Sequence, residues 1–185
     1  MRHWFSALCL TLATVLTGCA QTRYSAYFNV DCNVPYRLGS GDRLRIIVFG
    51  QESLSNSYSV DGSGRISMPL IDAVSAQGLT ARELERAIEA RLRNGFLREP
   101  RVAAEVEAYR PFFALGEVSA PGQYPFINGL TVQSAVAVAG GFTPRAAQSG
   151  AELTRIVEGA PVIGSVPITQ PVCPGDTIVV RERFF

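Results

Sequence analysis

Lysine is absent from the 185-residue chain, and the one histidine, His3, lies at the extreme N-terminus. Each absence excludes a chemistry. Without lysine there is no amine nucleophile and no phosphate-loop lysine. A GC-rich gene accounts for the all-arginine bias more simply than a function does. If the first residues are removed as a leader, the remaining chain has no imidazole. Ser-His-Asp and Cys-His devices and histidine-based zinc sites are then excluded. Charge of one sign is also lacking. The formal net charge is +1, and arginines and acids are interspersed, so there is no basic stripe for nucleic acid. No cofactor is expected.

What is present begins with a targeting pattern. Arg2 and His3 precede an apolar run from Trp4 to Leu16, followed by Leu16-Thr17-Gly18-Cys19. A positive start and an apolar run of about 13 residues fit a signal peptide, too short to cross a bilayer as a helix. The competing reading is a buried membrane helix with an incidental cysteine. Residues 16–19 resemble the lipobox of bacterial lipoproteins, which implies a leader over residues 1–18, cleavage before Cys19, and acylation of its sulfur and new amine. Each buried CH₂ adds about 0.8 kcal/mol, so several acyl chains such as palmitate make a lasting anchor. Ala20 follows where an aspartate would retain the protein at the inner membrane under the enteric sorting rule, which points to the outer membrane.

Of the four cysteines, Cys9 leaves with the leader and Cys19 takes lipid. Cys32 and Cys173 remain in an oxidising compartment, where leftover thiols usually pair. A Cys32–Cys173 disulfide is expected, closing a loop whose loss of chain entropy is worth roughly 5 kcal/mol. Two free thiols or a bridge between subunits are the alternatives.

Residues 19–35 read as a lipidated, polar tether. A first domain, residues 36–110, opens with Tyr36-Arg37-Leu38-Gly39-Ser40-Gly41-Asp42, a tight turn in which Asp42 can accept neighbouring amides. A strand over 43–49 puts Leu44, Ile46 and Val48 on one face and Arg43 and Arg45 on the other. Asp61-Gly62-Ser63-Gly64 between Tyr58-Val60 and Ile66-Met68-Leu70 predicts a hairpin. Thr80 and Glu83 form a capping box opening a helix to Arg93, with Leu79 and Leu84 as staple. Leu84, Ile88 and Leu92 form its apolar stripe, Glu85, Arg86, Glu89 and Arg93 lie outside it, and Gly95 ends it. A strand over 101–109 carries Val102, Ala104, Val106 and Ala108 on one face. The unit is α+β.

The second domain, residues 111–185, opens with Phe112-Phe113-Ala114-Leu115 and breaks at Gly116. Ala120-Pro121-Gly122 predicts a turn, with Pro121 presetting φ and Gly122 free to take φ > 0. A short aromatic strand through Tyr124 and Phe126 follows, then an Asn128-Gly129 turn. Thr131 caps a helix whose Val132, Ala135, Val136 and Ala139 repeat at helical spacing, and Gly140-Gly141 and Pro144 stop it.

Three motifs carry a resemblance here. Leu115-Gly116-Glu117-Val118, Pro121-Gly122-Gln123-Tyr124, and residues 137–143 with Arg145-Ala146 resemble the soluble-ligand-binding β-grasp (SLBB) domain of outer-membrane polysaccharide export proteins. Tyr36 to Asp42, Tyr58-Ser59-Val60-Asp61 with Gly64, Ile66 and Pro69, Gly78-Leu79-Thr80 and Pro100-Arg101-Val102 are similar to the polysaccharide export domain of the same proteins. Pro174-Gly175-Asp176 and the β-branched run after it look like the strand that closes the β-grasp domain. The resemblance implies an α+β fold, no enzymatic activity, and a lipid-anchored homo-oligomeric ring on the periplasmic face of the outer membrane. Its cargo would be a capsular or exopolysaccharide chain arriving from an inner-membrane co-polymerase. Larger members add further β-grasp domains and a membrane-crossing helix. The run ending at Phe184-Phe185 holds no such helix, so a separate outer-membrane barrel is expected as the pore. Gly39, Gly41, Asp42, Asp61, Gly64, Pro69, Gly116, Pro121, Gly122, Tyr124, Gly140 and Gly141 are motif residues with structural roles.

Other readings remain open. Arg43, Arg45 or Arg65 could face an acidic polymer, against a solvated strand face. A monomeric lipoprotein that holds a soluble glycan is the alternative function. Glu105 and Glu107 are a carboxylate pair of the kind glycoside hydrolysis uses, but on one strand face they read as solvated.

Overall fold

The structure is a computed structural model that describes Phe28, Cys32 and residues 35–157 and 159–183. The expected leader, lipidated Cys19 and terminal Phe184-Phe185 lie outside the described residues. The described residues build two hydrophobic cores.

The first core sits under a three-stranded antiparallel sheet ordered β2-β1-β5, made of β1 (Arg43–Val48), β2 (Asn56–Ser59) and β5 (Val102–Ala108). Alternation in β1 is realised: Leu44, Ile46 and Val48 are buried while Arg43 and Arg45 are exposed. Helix α1 (Ala81–Arg93) starts at the expected capping box, where Thr80 Oγ1 accepts the Glu83 amide and Glu83 Oε2 accepts the Thr80 amide at 2.8 Å. Its stripe Leu84, Ile88 and Leu92 is fully buried, and Gly95 ends it at φ 96.

Two side chains expected outside the stripe have a different task. Glu89 accepts the Val102 amide at 3.0 Å and Glu85 accepts the Ala104 amide at 2.9 Å. Residues four apart on the helix thus meet amides two apart on the strand, and this stretch of the sheet edge is closed against further strands.

The expected hairpin through Asp61–Gly64 does not form as such. The turn exists, with Asp61 Oδ1 accepting the amides of Ser63 at 2.8 Å and Arg65 at 3.0 Å. The strands on its two sides, however, part company. β2 pairs with β1, while β3 (Arg65–Met68) pairs with β4 (Asp72–Ser75) in a separate two-stranded sheet. Val60 explains the split, because it exchanges backbone bonds with Gly41 and Asp42 at 2.9 Å each, which occupies the end of β2. The hairpin that does form turns at Pro69–Ile71. Leu70, expected as a strand residue, is instead exposed in that turn at φ 71.

The second core lies beneath a five-stranded sheet ordered β7-β6-β10-β8-β9. Its strands are β6 (Phe112–Gly116), β7 (Gly122–Tyr124), β8 (Gly150–Val157), β9 (Ala160–Pro167) and β10 (Thr177–Val180). Helix α2 (Val132–Val138) presents Val132, Ala135 and Val136 to it, and Thr131 caps the helix with Ser134 as its capping-box partner. The C-terminal strand β10 is central: it runs parallel to β6 and antiparallel to β8.

Two expectations are corrected here. Gly122 does not use positive φ; it is the first residue of β7, and a Cβ there would sit 3.9 Å from the Tyr124 ring. The aromatic strand ends at Tyr124, because Pro125 has no amide to continue the ladder, and Phe126 turns inward to be buried. The long β8–β9 hairpin had no counterpart in the sequence reading.

Candidate functional site

Of the motif residues, Gly39, Gly41 and Asp42, with the Pro174-Gly175-Asp176 run, lie around Arg110 where the two cores meet, in two turns of the same design. Gly41-Asp42 precedes β1 and Gly175-Asp176 precedes β10. The glycines take φ 94 and φ 87, a left-handed conformation that any side chain would strain. Each aspartate folds back on its own turn: Asp42 Oδ2 accepts the Gly39 amide at 2.8 Å, and Asp176 Oδ2 accepts the Cys173 amide at 2.7 Å. In each, the aspartate amide also bonds the carbonyl three residues back, at 3.1 Å. Both carboxylates are buried, at 0% and 1% exposure, so each requires a donor set.

Asp42 draws its donors from its own unit and from the linker between the cores. Tyr36 donates its hydroxyl at 2.7 Å, and Arg110 donates its backbone amide to Oδ1 at 2.8 Å and its Nη1 to Oδ2 at 3.5 Å. Burial, and then donation to this carboxylate, push the Tyr36 phenol far above its usual range, so it stays protonated. Arg110 reaches the other turn as well, donating Nε to the Pro174 carbonyl at 3.0 Å. The fit is close on every side. A Cβ on Gly39 would lie 2.0 Å from Arg110 Nη1, and one on Gly175 would lie 3.0 Å from Nε. Around it, Tyr36 meets Tyr109 edge-on at 4.8 Å and Tyr109 meets Phe126 at 5.6 Å. One arginine and an aromatic chain therefore join the two cores.

Asp176 takes its cation from within its own sheet. Arg155 donates Nε to Oδ1 at 3.0 Å and Nη2 to Oδ2 at 2.7 Å, and Nη2 also reaches the Pro171 carbonyl at 3.1 Å. Burial pushes the Asp176 carboxyl up against the pull of Arg155. Arg155 Nη1 is buried without a hydrogen-bond partner, and the guanidinium lies 5.7 Å from the Phe28 ring, where a cation–π contact replaces a hydrogen bond.

A second cluster gathers the β-grasp motifs. Gly116, at φ 79, lies so close to β10 that a Cβ would meet the Val180 carbonyl at 2.1 Å. Glu117 accepts the Thr143 hydroxyl and, at 2.9 Å, Arg145 Nη2. Gly140 and Gly141 close α2 at φ 83 and φ 88, and Ser119 bonds back to Gly141. Tyr124 donates its hydroxyl to the Ala120 carbonyl over exposed Pro121 and stacks on Phe112 at 5.8 Å. Gly64, at φ 76, accepts the Ala76 and Gln77 amides through its carbonyl, and Pro69 enters the β3–β4 turn.

The other candidates stay apart. Arg43 is 3.8 Å from Glu107 and exposed, and Arg45 faces Glu105 across the ladder, so the carboxylates balance the arginines on that face. Arg65 is exposed on β3. Cys32 and Cys173 are joined, with their Cα atoms 5.4 Å apart. Among the described residues, no group of three His, Cys, Asp or Glu could hold a metal, and no helix is long and apolar enough to cross a membrane.

Arg110, Arg155, Gln170 and Phe28 were not singled out from the sequence. Arg155 carried a usable signal: it occupies an inward position two residues after Leu153, and a charged residue at such a position requires a buried partner. The repeated Gly-Asp before a strand was the other.

Residues 31–107 match the family described as polysaccharide biosynthesis/export protein, and residues 112–166 match the SLBB domain. The chain is also 32% identical over 163 residues to the exopolysaccharide production protein ExoF of Rhizobium meliloti (strain 1021). That alignment takes in 82% of this chain and 36% of the relative, so the chain spans about a third of the length of ExoF.

Proposed function

Because the chain belongs to the polysaccharide export family, with a polysaccharide biosynthesis/export domain followed by an SLBB domain, we propose that it is a non-enzymatic subunit of an exopolysaccharide export assembly. In this reading Cys19 carries lipid and holds the protein at the periplasmic face of the outer membrane. Copies associate head to tail into a closed ring. The ring receives a capsular or exopolysaccharide chain from an inner-membrane co-polymerase and passes it toward an outer-membrane pore. No bond is made or broken; passage is steric and electrostatic.

The observation that carries the reading is the junction. Arg110 is hydrogen-bonded to the Asp42 turn of one core and the Pro174 turn of the other, which makes the two units one piece. A ring requires such a piece, since a hinge between contact surfaces would let successive subunits miss closure. The outer face of the five-stranded sheet adds support. It shows Phe113, Leu115, Ile156 and Ile163 to solvent, and an apolar face of that kind gains from being covered by a neighbour.

The test is twofold. Deletion of the gene abolishes polymer export, and detergent-extracted protein migrates as an oligomer whose size depends on Phe113 and Leu115. Normal export in the deletion strain, or a solitary molecule at every concentration with the co-polymerase present, defeats the proposal.

A further inference from the structure

The sequence reading makes residues 19–35 a free tether to the first unit. In the structure, its far end is fastened to the second. Phe28 is 4% exposed and belongs to the second core. Gln170 donates its side-chain amide to the Phe28 carbonyl. The Phe28 ring covers Arg155 at 5.7 Å, on the guanidinium whose Nη1 has no hydrogen-bond partner. Four residues later Cys32 is bonded to Cys173, in the turn that Asp176 organises. Among the described residues, a segment that precedes the first unit in sequence is thus held against the second by a buried ring, a hydrogen bond and a covalent bond.

We propose that the Cys32–Cys173 bond is a latch that shortens the membrane leash, so that a lipid on Cys19 pulls on the second unit at Phe28 and not on the first at Tyr36. The inference rests on the lipid-anchor reading above. Its consequence is geometric. Latched, the lipid and the first fastened residue are separated by the nine residues from Cys19 to Phe28, whose reach is at most about 32 Å at full extension. Unlatched, the separation is the seventeen residues to Tyr36, which reach about 60 Å. Phe28 alone is a reversible contact in competition with the freedom of a loose chain, whereas the sulfur–sulfur bond makes it permanent wherever thiols are kept oxidised. Two-electron reduction by a dithiol, which is itself oxidised to a disulfide, opens the latch and returns two thiols.

The experiment uses the full-length lipidated protein in vesicles, with a protease site inserted between Cys32 and Tyr36. Cleavage without reductant should leave the folded units on the vesicles, held through Cys173. Added dithiothreitol should then release them, and a Cys32→Ser/Cys173→Ser variant should be released by cleavage alone. Release of the cleaved, oxidised protein overturns the latch, as does retention after reduction. Uncleaved protein that never binds the vesicles overturns the lipid-anchor reading as well, and so is told apart. Should the insertion disturb folding, energy transfer in the uninserted protein replaces it, from a bilayer dye to a dye carried by a non-canonical amino acid at exposed Arg98. Transfer should fall on reduction, and unchanged transfer overturns the proposal.

Discussion

The Gly41-Asp42 and Gly175-Asp176 turns share a backbone and differ in where their aspartates find a cation. Asp176 is paired within its own sheet by Arg155, whose side chain is 7% exposed, whereas Asp42 is reached from the linker by Arg110, whose side chain is 30% exposed. The first arrangement closes a core and the second joins two. One local solution to the same turn therefore does two jobs, and the source of the donor decides which.

The comparison breaks most sharply at Arg155. Arg155→Met leaves Asp176 buried with the Cys173 amide as its remaining donor, and removing one member of a buried pair costs about 3–5 kcal/mol. Denaturant unfolding should show the loss in the second unit, with the first little affected. Arg110→Ala should act differently. Asp42 keeps the Gly39 amide and the Tyr36 hydroxyl, so the cost is about 1–3 kcal/mol. Its signature is a loss of coupling, with two separate unfolding transitions and a broadened distance distribution between labels on the two units.

The twin glycines sharpen the likeness. Gly41→Ala and Gly175→Ala should each cost about 1–2 kcal/mol for an L residue at positive φ. Both crowd Arg110, so the double variant should cost less than the sum, which a double-mutant cycle measures.

The smallest effect is a pH dependence specific to the Asp42 side. The folded state holds the Tyr36 proton above the ordinary value of 10.0. Its contribution is therefore fully present below pH 10 and is lost as the pH rises beyond it, where the unfolded phenol ionises and the folded one does not. Tyr36→Phe should cost about 1 kcal/mol at neutral pH and flatten the alkaline fall in stability. Tyr58, also raised by burial, leaves a residue of that slope. An unchanged slope in Tyr36→Phe would refute the assignment.

Legibility followed the range of the interaction. The Thr80–Glu83 capping box, the Thr131 cap, the α1 stripe and the strand alternation in β1 rest on contacts within a few residues, and they stand where the sequence places them. The Asp61–Gly64 turn was legible, but the pairing of its flanks was not, because Val60 is claimed by the Gly41-Asp42 turn about twenty residues earlier. The β8–β9 hairpin was obscured because Arg155 interrupts the apolar alternation that marks a buried strand, and only its distant partner Asp176 explains it. Glu85 and Glu89 read only as lying outside the apolar stripe, because nothing near them in sequence shows that β5 offers two open amides.

The sequence by itself determined the glycines that must turn, the caps that must close helices, and the absence of lysine, since each is a property of a residue and its near neighbours. Only the tertiary structure decided that Arg110 spans two turns, that Arg155 answers Asp176, and that Phe28 lies in the second core. The physical reason is that a buried charge or ring is satisfied by whatever the fold brings within a few ångströms, and separation along the chain does not say what that will be.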